Sequence, residues 1–172
     1  MRIDLPLTPD TVKNLKAGEF ALLSGTLYTA RDAAHKRLCE AIERGDDLPF
    51  PVEGATIYYT GPTPAPPGRV IGSAGPTTAY RMDPYVEPLL KKGLLGMIGK
   101  GARKGEVPEL IKRYQAVYFA AFGGCGALLG KCIKECEIIA YPDLGTEAIR
   151  KLTVEDFPVF VAQDSFGDTI YK

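Results

Sequence analysis

The sequence predicts a single α/β domain over residues 1–172, with a layered mixed sheet and flanking helices. Three observations predict it. Apolar stretches of strand length recur along the chain, segments with apolar residues at helical spacing fall between them, and glycine or proline marks most of the joints. A chain of 172 residues buries about two thirds of its unfolded surface, so one domain needs no disulfides to be stable.

Arg2–Leu7 alternates apolar and polar residues as a half-buried strand does. Thr8, Pro9 and Asp10 supply a cap and an N1 proline for a short helix through Lys16, which Gly18 ends. Phe20–Thr29 reads as a strand, and Ala30–Arg44 as a helix whose Ala34, Leu38, Ala41 and Ile42 share one face before Gly45 closes it. Ala55–Thr60 and Arg69–Gly72 read as short strands. Between them the prolines of Gly61–Gly68 cannot donate to an interior ladder, which predicts a rigid surface loop.

Helices and strands then alternate. Pro84–Lys92, Val107–Tyr114 and Gly126–Ile133 are expected to be helical, and Leu95–Ile98, Val117–Phe122 and Glu137–Tyr141 extended. The tail offers a helix at Thr146–Leu152, a strand at Pro158–Ala162, and a turn at Asp164–Asp168 leading into a last short strand.

Lysine plus arginine equals aspartate plus glutamate at 21 each, so no long-range field draws the chain to nucleic acid or an anionic membrane. The longest apolar runs, such as Val117–Phe122, are far too short to span a bilayer, and Met1–Asp10 lacks the pattern of a secretory signal. The expectation is a cytoplasmic protein whose partner is a small molecule or another protein. Cys39, Cys125, Cys132 and Cys136 are too sparse for a secreted disulfide framework and are expected to be thiols.

Five segments could carry chemistry. In Gly75-Pro76-Thr77-Thr78-Ala79-Tyr80-Arg81, two hydroxyls and a guanidinium follow a glycine and a proline, a composition that suits an anion. It also suits a plain Gly-Pro turn with capping hydroxyls. In Tyr28–His35 a strand feeds a helix, so Arg31 and the first free amides could hold a carboxylate together. Alternatively Asp32 merely favours the first helical turn, and His35, the only histidine, sits at the helix surface without acting as a base.

Gly93–Gly105 is the one locally basic region, with Lys91, Lys92, Lys100, Arg103 and Lys104 and no acidic residue between Pro88 and Gly105. Its glycines lack phosphate-loop spacing, and Gly101 follows Lys100 where a magnesium-binding hydroxyl is required. Lys100 remains as a cation at a strand's carboxyl end, with Lys91, Lys92, Arg103 and Lys104 read as solvated surface.

Gly124-Cys125-Gly126 opens a helix after a strand, but Leu129 stands at the third position of a dinucleotide fingerprint, where packing wants glycine or alanine. Nicotinamide binding remains as a competing reading, as does a non-catalytic carboxylate-binding or assembly module. Cys125, Cys132 and Cys136 match no common ferredoxin or zinc spacing, and on a helix Cys132 and Cys136 would share one face as small core residues.

The GPTTAYRMD segment at Gly75–Asp83 occurs in order with TARDAAHKRL at Thr29–Leu38, MIGKG at Met97–Gly101, and EIIAYPDLGTEAIRKL at Glu137–Leu152. Together they resemble the β part of the iron–sulfur class I fumarases, a family that includes L(+)-tartrate dehydratase. The resemblance runs over nearly the whole chain and implies the swivelling β/β/α domain fold. It implies a β subunit that interconverts (S)-malate and fumarate, or acts on tartrate, only together with an α subunit.

The resemblance further implies a [4Fe-4S] cluster carried by that α subunit and no metal on this chain. The expected assembly is an α2β2 heterotetramer, with a homodimer possible for the isolated chain. By motif, the resemblance implies catalytic roles for Thr77, Arg81 and Lys100, and substrate binding by these three with Arg31. Arginine forks suit a dicarboxylate, and a positive group near the carboxylate stabilises the charge that grows there when the adjacent proton leaves. Thr77 is either a base or a hydrogen-bond donor. Tyr80 stands where a small residue is expected in that motif, and could narrow the pocket or cover a carboxylate.

Overall fold

The computed structural model describes residues Met1–Lys172. Seven strands form one mixed sheet: β1 (Arg2–Asp4), β2 (Phe20–Thr29), β3 (Thr56–Tyr58), β4 (Gly96–Gly99), β5 (Val117–Ala120), β6 (Ile133–Ala140) and β7 (Ile149–Gln163). Strands β1 to β5 run parallel in that spatial order, and β7 lies antiparallel to β2, β5 and β6. Five helices flank it: α1 (Pro9–Lys13), α2 (Asp32–Arg44), α3 (Val86–Lys91), α4 (Val107–Arg113) and α5 (Gly126–Lys131).

The long strand β7 closes the sheet. Its first half pairs with β2 and β6, from Ile149 to Val154, and its second half with β2 and β5, from Phe157 to Gln163. The pairings β2–β3–β4–β5–β7–β2 therefore form a ring. Closing a ring demands bends, and two sit where the ladder shifts. Gly25 (φ 124°) marks the break in β2, where a Cβ would stand 2.6 Å from the Leu5 carbonyl oxygen, and Asp156 (φ 50°) marks that in β7.

Alternation along these strands builds two cores. Leu23, Leu27, Tyr58, Ile98, Phe119, Phe157 and Val159 fill the inside of the ring. Ile57, Tyr59, Met97 and Tyr118 point the other way, against Ala34 and Leu38 of α2, Leu89 of α3 and Ile111 of α4. A strand buried on both faces reads as a continuous apolar run, as Val117–Ala120 does.

Four expectations are corrected. Thr146–Leu152 is no helix: a 3-10 turn covers Pro142–Glu147 and β7 starts at Ile149, because buried Ile149, Leu152 and Val154 pair on both sides. The helix expected at Gly126–Ile133 stops at Lys131, and β6 begins at Ile133, well before Glu137; Cys132 and Cys136 thus share no helix face. Arg69–Gly72 joins no strand. Gly72 N–H donates to the Thr63 carbonyl within the loop, and the start of the Pro84–Lys92 segment belongs to a 3-10 turn over Ala79–Tyr85.

The turn after β7 is anchored by Asp164. This fully buried carboxylate accepts from the N–H groups of Ala17 (3.0 Å), Phe166 (2.9 Å) and Asp168 (3.1 Å). Replacing it with alanine leaves three donors without their acceptor. Asp164→Ala is expected to cost about 3 kcal/mol in urea unfolding, with the slope of the transition unchanged.

Candidate functional site

In a parallel sheet, ligands bind beyond the carboxyl ends of the strands, where loops diverge. Here those ends are Thr29 of β2, Tyr58 of β3, Gly99 of β4 and Ala120 of β5. The segment Ala74–Ala79 is sewn onto them. Thr77 N–H donates to the Tyr59 carbonyl (2.6 Å), Lys100 N–H to the Thr77 carbonyl (3.2 Å) and Ala79 N–H to the Lys100 carbonyl (2.8 Å). Thr60 Oγ1 donates to the Gly75 carbonyl (2.7 Å) and the Tyr58 hydroxyl to the Ala74 carbonyl (2.5 Å). The result is a strand-like insert between the ends of β3 and β4, and only glycine fits at 99. A Cβ there would lie 2.9 Å from the Tyr59 ring and 3.0 Å from Ala79 Cβ.

Arg31 caps α2 and reaches over the exit of β3, where a Cβ on Gly61 would stand 2.9 Å from its Nη1. Its Nε is buried without a hydrogen-bond partner. The neighbouring Asp32 accepts from Arg81 Nη2 at 2.5 Å, so the second guanidinium is held beside the first. The amides of α2 are less free than the sequence suggests. Ala33 N–H donates to Glu147 Oε1 (3.3 Å), because the 3-10 turn before β7 packs on α2, clamped by the Arg37–Asp143 fork.

Lys100 follows β4 directly, is exposed, and crosses Gly123, where a Cβ would lie 3.5 Å from its Cδ. No carboxylate pairs with it. Arg31, Thr77, Arg81 and Lys100 are thus brought together along one chain of contacts, from Gly61 through Tyr59 and Thr77 to Gly123. Arg81 and Lys100 are exposed and Arg31 and Thr77 half-buried, so the group faces solvent.

Arg103 overturns its reading as solvated surface. Its side chain is only 1 % exposed and pairs with Asp83 through Nε (2.7 Å), while Nη1 donates to the Tyr59 hydroxyl (3.0 Å). The guanidinium also lies over the rings of Tyr59 and Tyr118, 5.2 and 5.1 Å from their centroids. Burial works against its charge, but Tyr59 and Asp83 more than offset that and its pKa is raised. Asp83 in turn accepts from Lys104 N–H (2.7 Å). The sequence signal was present but ambiguous, since nothing local separates Arg103 from its basic neighbours. Tyr80 is 44 % exposed and lies under the Lys104 ammonium (3.9 Å), lining a cleft with Lys104 and Glu87.

His35 is fully buried, another departure from the surface position expected. Its Nδ1 lies 2.9 Å from the Arg31 carbonyl and its ring meets Tyr59 edge-on at 5.3 Å. Burial, the largest influence, pushes its pKa down to about 4. It is a neutral strut beneath Arg31.

The family's cluster requires converging thiolates, and this chain does not fit one. No group of three or more His, Cys, Asp or Glu side chains converges, and burial raises the pKa of Cys39, Cys132 and Cys136. No helix is long and apolar enough to cross a membrane.

Comparison with known proteins decides the family. The model described as "Fumarase C-terminus" matches residues 1–172. The chain belongs to this family. It is 42% identical over 152 residues to "Fumarate hydratase class I, aerobic" of Salmonella typhimurium, covering 87% of the chain and 26% of that protein. It is 38% identical over 178 residues to "Fumarate hydratase 2" of Leishmania major, covering 100% of the chain and 31% of that protein. With "Putative L(+)-tartrate dehydratase subunit beta" of Methanocaldococcus jannaschii it shares 39% identity over 172 residues, 96% of the chain and 88% of that protein. The chain therefore spans about a quarter to a third of the fumarate hydratases it matches, but most of the tartrate dehydratase relative.

Two predictions follow from the buried groups of this fumarase C-terminal fold. Removing Asp83 strands the Arg103 charge in the core, so Asp83→Ala is expected to destabilise the chain by about 3–5 kcal/mol in urea unfolding. His35 stays neutral in the native state while its unfolded form titrates near 6.5. Between pH 6.5 and about 4 the unfolded chain binds the extra proton, so stability falls as pH is lowered through that window. At pH 5 the loss relative to pH 7 is about 2 kcal/mol. His35→Gln is expected to flatten that part of the pH profile.

Proposed function

We propose that the chain is the β part of an iron–sulfur hydro-lyase that interconverts (S)-malate and fumarate. The observation that carries this is that Arg31, Thr77 and Lys100 lie at the ends of β2, β3 and β4, where the Arg31 guanidinium and the Lys100 ammonium form no ion pair within the chain. A dicarboxylate supplies acceptors for both. Membership of the fumarase family and the names of its relatives support the same reading.

On this reading Arg31 binds one carboxylate, with His35 and Glu147 fixing the backbone from which it projects. Lys100 and Arg81 stabilise negative charge as it grows on the other carboxylate during proton removal. Thr77, anchored through its N–H and carbonyl, presents its hydroxyl to substrate; an ordinary threonine hydroxyl is too weak a base without strong activation. The leaving hydroxyl calls for a Lewis acid, the [4Fe-4S] cluster, which we assign to an α subunit in an α2β2 assembly. A second reading, L(+)-tartrate dehydration, is favoured by a relative whose length this chain nearly matches.

Anaerobic co-expression with an α partner, followed by malate and tartrate dehydration assays, tests both. Activity is expected only in the complex, and turnover by the isolated chain would sink the proposal. In the complex, Lys100→Met is expected to lower kcat by about 10²–10³-fold. Arg31→Met is expected to lower kcat/KM by about 100-fold, mostly through KM. Thr77→Ala separates its two roles: near-normal kcat with a raised KM makes it a hydrogen-bond donor.

A further inference from the structure

A cleft between the proline-rich loop and the end of α5 has no part in the reading above. Gly68–Ile71 form one wall and residues from Gly130–Lys134 the other, around a volume of about 320 Å³. Its charged residues are Arg69, Lys131 and Lys134, and none of the lining residues is acidic. The sequence explains why: no Asp or Glu occurs between Gly54 and Met82, or between Leu110 and Lys134, and the cleft is where these two stretches meet.

The cations are not used internally. Arg69 and Lys131 make no ion pair, whereas Arg2, Arg37, Arg44, Arg81 and Lys91 each have a carboxylate. Lys134 reaches only the Lys131 carbonyl, at 3.2 Å. Two neighbouring carboxylates are engaged elsewhere, Asp156 with Arg2 and Glu135 with the Thr153 hydroxyl (3.4 Å), while Glu155 does not line the cleft. Independently of the charges, the N–H groups of Val70 and of the buried Ile71 have no protein acceptor. Val70 is exposed, but Ile71 is buried, and an unpaired amide at a buried residue is rare and marks a place where an acceptor belongs.

We propose that this cleft binds a small phosphate-bearing polyanion, with its phosphates held by Arg69, Lys131 and Lys134 and by the Val70 and Ile71 amides. Tetrahedral phosphate oxygens can accept from a guanidinium fork, ammonium groups and backbone N–H at once. The volume suits a small molecule, and a chain of zero net charge has no field to hold a nucleic acid. The two walls are in close contact: a Cβ on Gly130 would lie 2.6 Å from the Gly72 carbonyl oxygen, and Ala74 N–H donates to the Gly126 carbonyl (3.0 Å). A ligand bridging them tightens the seam that carries the segment up to Thr77.

Titration calorimetry of the full chain with metal-free tripolyphosphate and with ATP tests this. One saturable site is expected for at least one probe, weakening as salt is raised. Tighter binding of ATP identifies a nucleotide as the ligand type, and equal binding an inorganic polyphosphate. Arg69→Ala/Lys131→Ala, both exposed and checked for folding by circular dichroism, is expected to lose at least about tenfold in affinity. Lys91→Ala, a surface control, is expected to match the parent. Absence of saturable binding up to about 5 mM would overturn the proposal, since that is weaker than a built phosphate site. So would binding that is lost in Lys100→Ala and kept in the double variant, because the anion would then sit on the other face.

Discussion

The Arg103–Asp83 pair is the interaction on which the proposed site depends. Asp83 lies in the turn that carries Arg81, and Arg103 lies three residues beyond Lys100, so one buried ion pair joins both segments. Taking two charges out of water is expensive, and the mutual attraction offsets that only with further hydrogen bonds. Most are present: the Tyr59 hydroxyl and the Lys104 amide bond to the pair and the rings of Tyr59 and Tyr118 cover the guanidinium, although Arg103 Nη2 is buried without a partner. An apolar substitute could fill the volume. It could not specify which face of the 3-10 turn meets the loop after β4.

Tyr59 transmits that constraint to the rest of the face. Its hydroxyl meets Arg103, its carbonyl receives the Thr77 amide, and its ring supports His35, whose Nδ1 rests on the Arg31 carbonyl. Two of the proposed residues, Thr77 and Arg31, are thus referenced to one buried residue just beyond β3. The ring of strands supplies the stiffness behind it. Because β7 pairs with both β2 and β5, the parallel strand ends cannot splay without breaking its ladder.

Much of this was legible in the sequence where local rules are strong. Phe20–Thr29 and the helix ended by Gly45 were read almost to the residue, since Gly45 takes the left-handed conformation (φ 74°) that a C-cap needs. Lys100 at a strand end followed from an apolar run broken by glycines. The failures fall where partners distant in sequence decide. β7 looked like a helix and then a separate strand because Pro158 interrupts the run. In the fold, closure of the ring holds Asp156 at positive φ and lets one strand pass both neighbours. Arg103 and His35 were misjudged as surface because their partners, Asp83 and the rings of Tyr59 and Tyr118, lie far away along the chain.

The segment Gly75–Asp83 divides its labour by residue. Backbone groups of Thr77 and Ala79 are consumed in stitching the insert between β3 and β4, and Asp83 is consumed in the core. The Thr77 hydroxyl makes no hydrogen bond within the chain, and Arg81 is tethered only to the half-exposed Asp32. A turn needed only for stability would satisfy its polar groups internally, whereas this one leaves a hydroxyl and cations facing outward on a rigid base. With Arg31 Nε buried and unpaired nearby, the cost of desolvating that donor is recovered only when an acceptor arrives. Exposed Arg81 and Lys100 beside that buried donor, on a chain of zero net charge, fit the half of a shared site proposed above.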